Sequence, residues 1–303
     1  MANRTPAYLF RQKYIGHPIQ GVLAWLAFRT IRLLSLDTAS NIGGWIGRKI
    51  GKRFVVTRKA RKNLKMVFPE KPDEEIEKII TDMWDNLGRT AFEFAKIDGV
   101  DIKNDSNRFE VVGAENLERL SDPGVPAILW GGHLANWEIA ALVGAHFGKP
   151  TTAVFRAPDN KWVSSLFFER SRHPHLDLVP KGAQGAKKIM SVLKSGGNLG
   201  ILVDQKMNDG IAVPFFGRDA MTAPALATFA LKYKCNVVPG RIERLGRSAR
   251  FRITIHPPME LPNSGDRQAD TLALMTRVNA MLEDWIRERP EQWLWLHKRW
   301  PDS

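Results

Sequence analysis

The residues of this chain best suited to chemistry are His133 and Glu138, in the run Ile128-Leu-Trp-Gly-Gly-His-Leu-Ala-Asn-Trp-Glu138. Histidine is the side chain whose ordinary pKa puts proton transfer within reach of neutral pH. A carboxylate five residues on, brought back by a turn, would fix the tautomer and stabilise the cation formed when the imidazole takes a proton. That is the chemistry of a general acid or base. The spacing alone also fits a hydrogen-bonding histidine with no catalytic part. It is not the His-Glu-x-x-His zinc pattern, and Trp137 stands where a second ligand would be, so no metal is expected. No Gly-x-Ser-x-Gly elbow is present to support a serine triad.

The elements around these residues place them well. An apolar strand at 127–130 runs through two glycines into the polar turn that carries His133. In open α/β sheets, ligands bind outside the carboxyl ends of strands. Further short apolar runs at 151–155, 199–203 and 237–239 alternate with helical patterns at 135–147, 160–171, 184–193, 224–233 and 271–289. That alternation predicts an α/β fold with a single mixed, largely parallel sheet flanked by helices. Residues 251–256 alternate as a further strand, expected at an edge. Ahead of the sheet, Asp73 opens an amphipathic helix running through Ile76, Ile79, Ile80, Trp84, Leu87 and Phe94.

The N-terminal part has a different texture. Residues 19–36 are apolar but carry Arg29 and Arg32, whereas a spanning helix needs about 20 mostly uncharged residues. A membrane-associating interfacial or tilted helix fits better, and no cleavage site marks a signal peptide. Ile42, Trp45, Ile46, Ile50, Phe54 and Val55 then recur at helical spacing, and nine basic residues with no acidic one lie between Arg48 and Lys65. Such a face is read as attachment to anionic lipid; a solvated charged face is the alternative. Two regions are expected: 1–68, an apolar anchor helix with a basic amphipathic helix, and 69–303, the α/β domain.

The net charge of +13, from 45 Lys plus Arg against 32 Asp plus Glu, calls for an anionic partner: nucleic acid, membrane or a phosphorylated substrate. Nucleic-acid binding would interleave stacking aromatics with the basic residues. Between 48 and 65 only Phe54 is aromatic, so no nucleic-acid partner is expected. A non-enzymatic basic module remains the competing class. The single Cys235 excludes an intramolecular disulfide and is expected as a small buried hydrophobe, in keeping with a cytoplasmic setting.

Several blocks in order carry a resemblance across nearly the whole chain. They are the apolar N-terminal helix, Arg61-Lys-Asn-Leu-Lys-Met-Val-Phe-Pro69, Gly132-His-Leu-Ala-Asn-Trp-Glu138, Val203-Asp-Gln205, Val213-Pro-Phe-Phe-Gly217 and Pro290-Glu-Gln-Trp-Leu-Trp-Leu-His-Lys-Arg-Trp300. Together they resemble the lipid A late acyltransferases of the lysophospholipid acyltransferase superfamily. The resemblance implies a glycerolipid acyltransferase-like fold, with His133 as general base and Glu138 orienting it. It implies an acyl carrier protein thioester as donor and the 3-hydroxyl of an acyl chain on a lipid A precursor as acceptor, with a glycerolipid or another glycolipid as the alternative acceptor. A place on the cytoplasmic face of the inner membrane and no cofactor follow from it too. It also implies substrate-binding roles for Asp204 and for an arginine after the dyad, for which Arg170 fits the spacing better than Arg172. Arg156, at a predicted strand end, is a further candidate for phosphate.

Some residues stay open on sequence alone. Asp204 ends a strand and could be a functional carboxylate or a cap. Trp293, Trp295 and Trp300, beside Lys298 and Arg299, suit a membrane interface or a buried core equally. Phe215 and Phe216 could line an acyl groove but more readily pack. Asn136 and Trp137 are expected to be structural, and the turn amides near His133 could face a developing oxyanion.

Overall fold

The computed structural model describes residues 10–300 apart from 156, 157, 159, 171 and 172, and leaves out the side chains of 167–170 and 183. Among the described residues four α-helices precede the sheet: α1 (His17–Arg32), α2 (Leu36–Ile50), α3 (Thr57–Val67) and α4 (Asp73–Glu93). After them come β1 (Phe109–Val112), β2 (Ala127–Gly131), α5 (Ala140–His146), β3 (Thr151–Phe155), α6 (Lys161–Arg170), β4 (Leu176–Pro180), α7 (Ala183–Lys194) and β5 (Asn198–Leu202). A hairpin of β6 (Lys206–Phe215) and β7 (Arg218–Thr222) follows, then α8 (Ala225–Tyr233), β8 (Asn236–Arg244), β9 (Phe251–Ile255) and α9 (Arg267–Glu288).

Seven strands form the main sheet in the order β1-β9-β8-β2-β5-β3-β4. Every neighbouring pair is parallel except β8 and β9. The mixed, largely parallel sheet expected from the alternating pattern is therefore present. The strand at 251–255 does not lie at an edge: β1, a four-residue strand with a weak sequence signal, pairs outside it. Strand β2 sits at the centre and is buried along its whole length, as a strand covered on both faces must be.

Alternate residues of the sheet feed two cores. Ile128, Trp130, Leu199, Val203 and Val237 face one of them, together with α3, α4, α8, α9 and the C-terminal tryptophans. Ala127, Leu129, Val238, Ile242, Phe251 and Ile253 face the other, against α5 and the turns around Ile97 and Leu117. Residues 57–68, grouped by sequence with the N-terminal appendage, bury Ala60, Leu64 and Phe68 in the first core. Cys235 is buried there as expected, and burial pushes its thiol up to about 12.

The basic stretch forms two helices, α2 and α3, broken at residues 51–56. Small residues decide which face of α2 is buried. Ala39, Ser40, Gly43, Gly44 and Gly47 lie against α4, and a Cβ at Gly43 would overlap the Gly88 carbonyl. The larger stripe of Ile42, Trp45, Ile50, Phe54 and Val55 is left exposed. On α1, Ile19, Val22, Leu23, Trp25 and Leu26 are exposed too, while Gly21 lets the helix approach Trp162 of α6. Among the described residues no helix is long and apolar enough to cross a membrane.

Candidate active site

Strands β2 and β5 are parallel neighbours, and their last residues, Gly131 and Leu202, are in register. Two residues beyond each end stand His133 and Asp204. The pairing of the strands thus brings the imidazole and the carboxylate together, at the carboxyl ends of the two strands. Gly132 allows the approach, since a Cβ there would meet the Leu282 side chain at 2.8 Å and an Asp204 oxygen at 3.5 Å.

The Asp204 carboxylate is fully buried and takes three hydrogen bonds. Its Oδ1 accepts from His133 Nδ1 at 2.6 Å. Its Oδ2 accepts the His133 backbone N–H at 2.9 Å and the indole N–H of Trp293 at 2.7 Å. Because an ionised carboxylate only accepts, the proton lies on His133 Nδ1 and leaves Nε2 as the basic nitrogen. In this structure the amide of the exposed Gln205 lies 3.2 Å from Nε2. Burial works against a charged His133 imidazole, but Asp204, with a further contribution from Glu138, outweighs it and holds the pKa above the usual histidine value. Burial would raise Asp204 in turn, yet the His133 charge and hydrogen bond lead the effects that hold it well below the usual carboxylate range.

His297 lies beside this pair, its ring 6.5 Å from that of His133 and 5.1 Å from that of Trp293. Burial pushes it down to about 4, so it is neutral near pH 7. Arg299 is fully buried, donates to the Met221 carbonyl and the Thr222 hydroxyl, and lies over the Phe215 ring. Trp293, Trp295 and Trp300 are all buried, with Phe215 stacked on Trp300. The open choice between membrane interface and core is settled for the core.

Glu138 occupies the turn before α5 rather than its first helical residues. The helix begins at Ala140, five residues later than the sequence pattern predicts, because Ala135 takes a left-handed conformation at φ 48° and interrupts it. The Glu138 amide donates to Asn136 Oδ1 at 3.2 Å, and a Glu138 oxygen accepts the Trp137 indole N–H at 3.1 Å. Trp137 lies against the His133 ring at 5.3 Å. The carboxylate expected from Glu138 at the inner imidazole nitrogen is thus supplied by Asp204, while Glu138 adds negative charge nearby.

The expectation that turn amides face a developing oxyanion is not met at residues 133–135. Those of His133, Leu134 and Ala135 donate to Asp204, the Gly132 carbonyl and the Gln292 carbonyl respectively. Arg156 and Arg172 lie outside the described residues, as does the side chain of Arg170, whose backbone closes α6. Among the described residues, no group of three or more histidine, cysteine or acidic side chains is arranged to hold a metal ion. A cavity of about 450 Å³ lined by Arg32, Lys96, Asp98, Val100 and Arg108 contains none of the site residues.

Sequence reasoning missed Trp293 and Gln205 as partners of the histidine pair. Both stood in the blocks that carried the resemblance; the strand order joins Gln205 to His133, and the bridge between Leu134 and Trp293 brings in the tryptophan.

A histidine made basic at its outer nitrogen by a buried carboxylate, at the carboxyl edge of a largely parallel sheet, has the composition of an acid–base site. The chain belongs to the bacterial lipid A biosynthesis acyltransferase family, which matches it over residues 11–302, and acyl transfer is the activity this membership supports. It is 26% identical to a lipid A biosynthesis acyltransferase of Haemophilus influenzae over 90% of this chain and 83% of the relative. It is 25% identical to a lipid A biosynthesis lauroyltransferase of Escherichia coli over 91% of this chain and 90% of the relative. A palmitoleoyltransferase of Escherichia coli is 26% identical over 84% of this chain and 83% of that protein. A solved 1-acyl-sn-glycerophosphate acyltransferase from Thermotoga maritima aligns over 92% of this chain and 99% of its own with a TM-score of 0.39 and 14% identity.

Proposed function

We propose that the protein transfers a fatty acyl chain from an acyl carrier protein thioester to the 3-hydroxyl of an acyl chain on a lipid A precursor. The observation that carries this reading is the 2.6 Å contact between His133 Nδ1 and Asp204, within a chain of the lipid A acyltransferase family. Asp204 fixes the tautomer that leaves Nε2 free of a proton. The acceptor hydroxyl replaces Gln205 at Nε2 and gives up its proton there. Its oxygen attacks the thioester carbonyl carbon, forming the new C–O bond and a tetrahedral oxyanion. As the oxyanion collapses, the C–S bond breaks and the thiolate departs with the proton returned from His133. Asp204 and Glu138 both stabilise the imidazolium in between. Arg170 and Arg156 are assigned to substrate phosphate, which a guanidinium binds bidentately.

The work takes place at the cytoplasmic face of the inner membrane. Two features support this: the exposed apolar residues of α1 and α2, and the exposed cations Lys49, Arg53, Arg58 and Lys59 near them in sequence. Apolar side chains beside cations suit an anionic lipid surface. The basic surface also matches an acidic carrier protein.

The test is mass spectrometry of products after incubation with acyl carrier protein thioesters and a tetra-acylated lipid A precursor. A mass gain of one acyl chain, lost in His133→Ala, supports the reading. No gain with any chain length rejects the acceptor, and a gain that persists in His133→Ala rejects the base.

A further inference from the structure

The turn between His133 and Glu138 is held from behind by a buried polar cluster that the chemistry above does not use. Ala135 adopts φ 48°, a region that costs free energy for any residue with a Cβ and persists only where the surroundings impose it. Its carbonyl accepts from Asn86 Nδ2 and from Thr90 Oγ1 of α4, each at 3.1 Å. Its amide donates to the Gln292 carbonyl at 2.8 Å. The next residue, Asn136, donates to Glu93 Oε2 at 2.8 Å and receives the Glu138 amide on its own oxygen. Four side chains and one carbonyl therefore set a turn that carries His133 at one end and Glu138 at the other.

One residue holds the three α4 side chains of this clamp, Asn86, Thr90 and Glu93. Arg244, at the end of β8 and 2% exposed at its side chain, pairs with Glu93 through two nitrogens, at 2.5 and 3.0 Å. Its Nε donates to Asn86 Oδ1 at 2.9 Å, and Nη2, one of the two nitrogens on Glu93, also donates to Thr90 Oγ1 at 3.3 Å. Its backbone amide and carbonyl are bracketed by the Gln292 side chain at 2.8 and 2.9 Å. The planar fork of a guanidinium can reach three partners in fixed directions, which an ammonium cannot. We propose that Arg244 is a positioning residue for the active site: through Glu93, Asn86 and Thr90 it imposes the left-handed conformation of Ala135 and so fixes Glu138 relative to His133.

This inference rests on the acyl-transfer reading for its kinetic test and on hydrogen exchange for a test independent of it. Arg244→Lys keeps the charge but loses the fork. Its kcat is expected to fall roughly 10- to 100-fold, as for a displacement of about an ångström at a reacting group, with KM for the thioester unchanged. Ala135→Gly in the same background is the decisive variant, because glycine enters the left-handed region freely. It is expected to recover about five- to tenfold in kcat, which it would not do if Arg244 merely supported the core. Thr90→Val, an isosteric loss of one hydrogen bond on Ala135, serves if Arg244→Lys does not fold; it predicts a smaller loss, again rescued by Ala135→Gly. Amide exchange in the 132–138 segment should quicken in either single variant while β5 stays protected. Unchanged exchange in that segment, or a kcat loss that Ala135→Gly leaves untouched, overturns the proposal. Failure of wild-type turnover in an assay where exchange responds as expected overturns the acyl-transfer reading instead.

Discussion

Asp204 meets His133 because each lies two residues past a paired strand end, Gly131 on β2 and Leu202 on β5, and their side chains close at 2.6 Å. Replacing that carboxylate by an amide tests what the contact does. In Asp204→Asn the oxygen still accepts from the His133 amide and Trp293, which turns the NH2 toward Nδ1. Nδ1 then becomes an acceptor and the proton moves to Nε2, the wrong tautomer for a base. Turnover is expected to fall roughly 10²- to 10⁴-fold, as in His133→Ala, with thermal unfolding showing a folded protein.

The pH dependence of turnover follows from the same pair. A general base works when neutral, and His133 is held above the ordinary histidine value despite its burial. The acid limb of kcat/KM should therefore have its midpoint above the usual histidine value of about 6.5. Glu138→Gln removes one of the charges that raise it, so the midpoint should move toward lower pH. A midpoint that stays put in this variant would remove Glu138 from the electrostatics of the base.

Stability should respond to acid through His297. Its folded pKa is depressed to about 4, below its unfolded value, so the unfolded chain binds the proton first as pH falls. The neutral buried ring stabilises the fold fully above about pH 6.5 and loses that contribution progressively down to about pH 4. His133 has the opposite sign, since its raised pKa favours the folded state most at low pH and loses effect as pH rises. Thermal unfolding from pH 7 to 4 should thus fall less steeply in His297→Gln than in the wild type.

Close approach of α2 and α4 depends on residues without side chains. A Cβ on Gly43 would meet the Gly88 carbonyl and the Phe92 side chain, so Gly43→Ala must push the helices apart. A loss of roughly 1–3 kcal/mol is expected, the usual range for overpacking, and urea denaturation measures it.

The proposed membrane attachment can be tested separately from folding. Trp25 and Trp45 are 47% and 56% exposed, so Trp25→Ser and Trp45→Ser should leave the unfolding temperature nearly unchanged while weakening sedimentation with anionic liposomes. Changing Lys49, Arg53, Arg58 and Lys59 to Gln should weaken it further, by about 1 kcal/mol per residue, and salt should mimic the change. Binding that is indifferent to both sets would assign these surfaces to another role.

Period and spacing made the sheet and its flanking helices legible because buried parallel strands read as short apolar runs. The strand at 151–155 and the helices around 184–193 and 225–233 fall within a residue of expectation. What stayed hidden depends on contacts between distant residues. The hairpin of β6 and β7 lacks a strong apolar alternation, and the delay of α5 to Ala140 comes from hydrogen bonds to Ala135 supplied by α4. Likewise, His133 and Asp204 were each visible as candidates, but their pairing needs the fact that β5, rather than β3, neighbours β2. The exposed tryptophan of α2 and the buried ones near the C-terminus carry the same local signal of aromatic beside cation. Only packing tells them apart.

The bridge between Leu134 and Trp293 has a consequence in time as well as in space. Synthesis runs from the N-terminus, so His133 leaves the ribosome well before the tryptophan whose indole fixes Asp204 and the glutamine whose carbonyl holds Ala135. Until that later segment emerges and docks, the nascent chain can present the apolar and basic faces of α1 to α3 but has no assembled base. On the proposed lipid-surface role, attachment would precede activity, and a ribosome stalled before residue 292 would hold a chain with those faces made and its acid–base site incomplete.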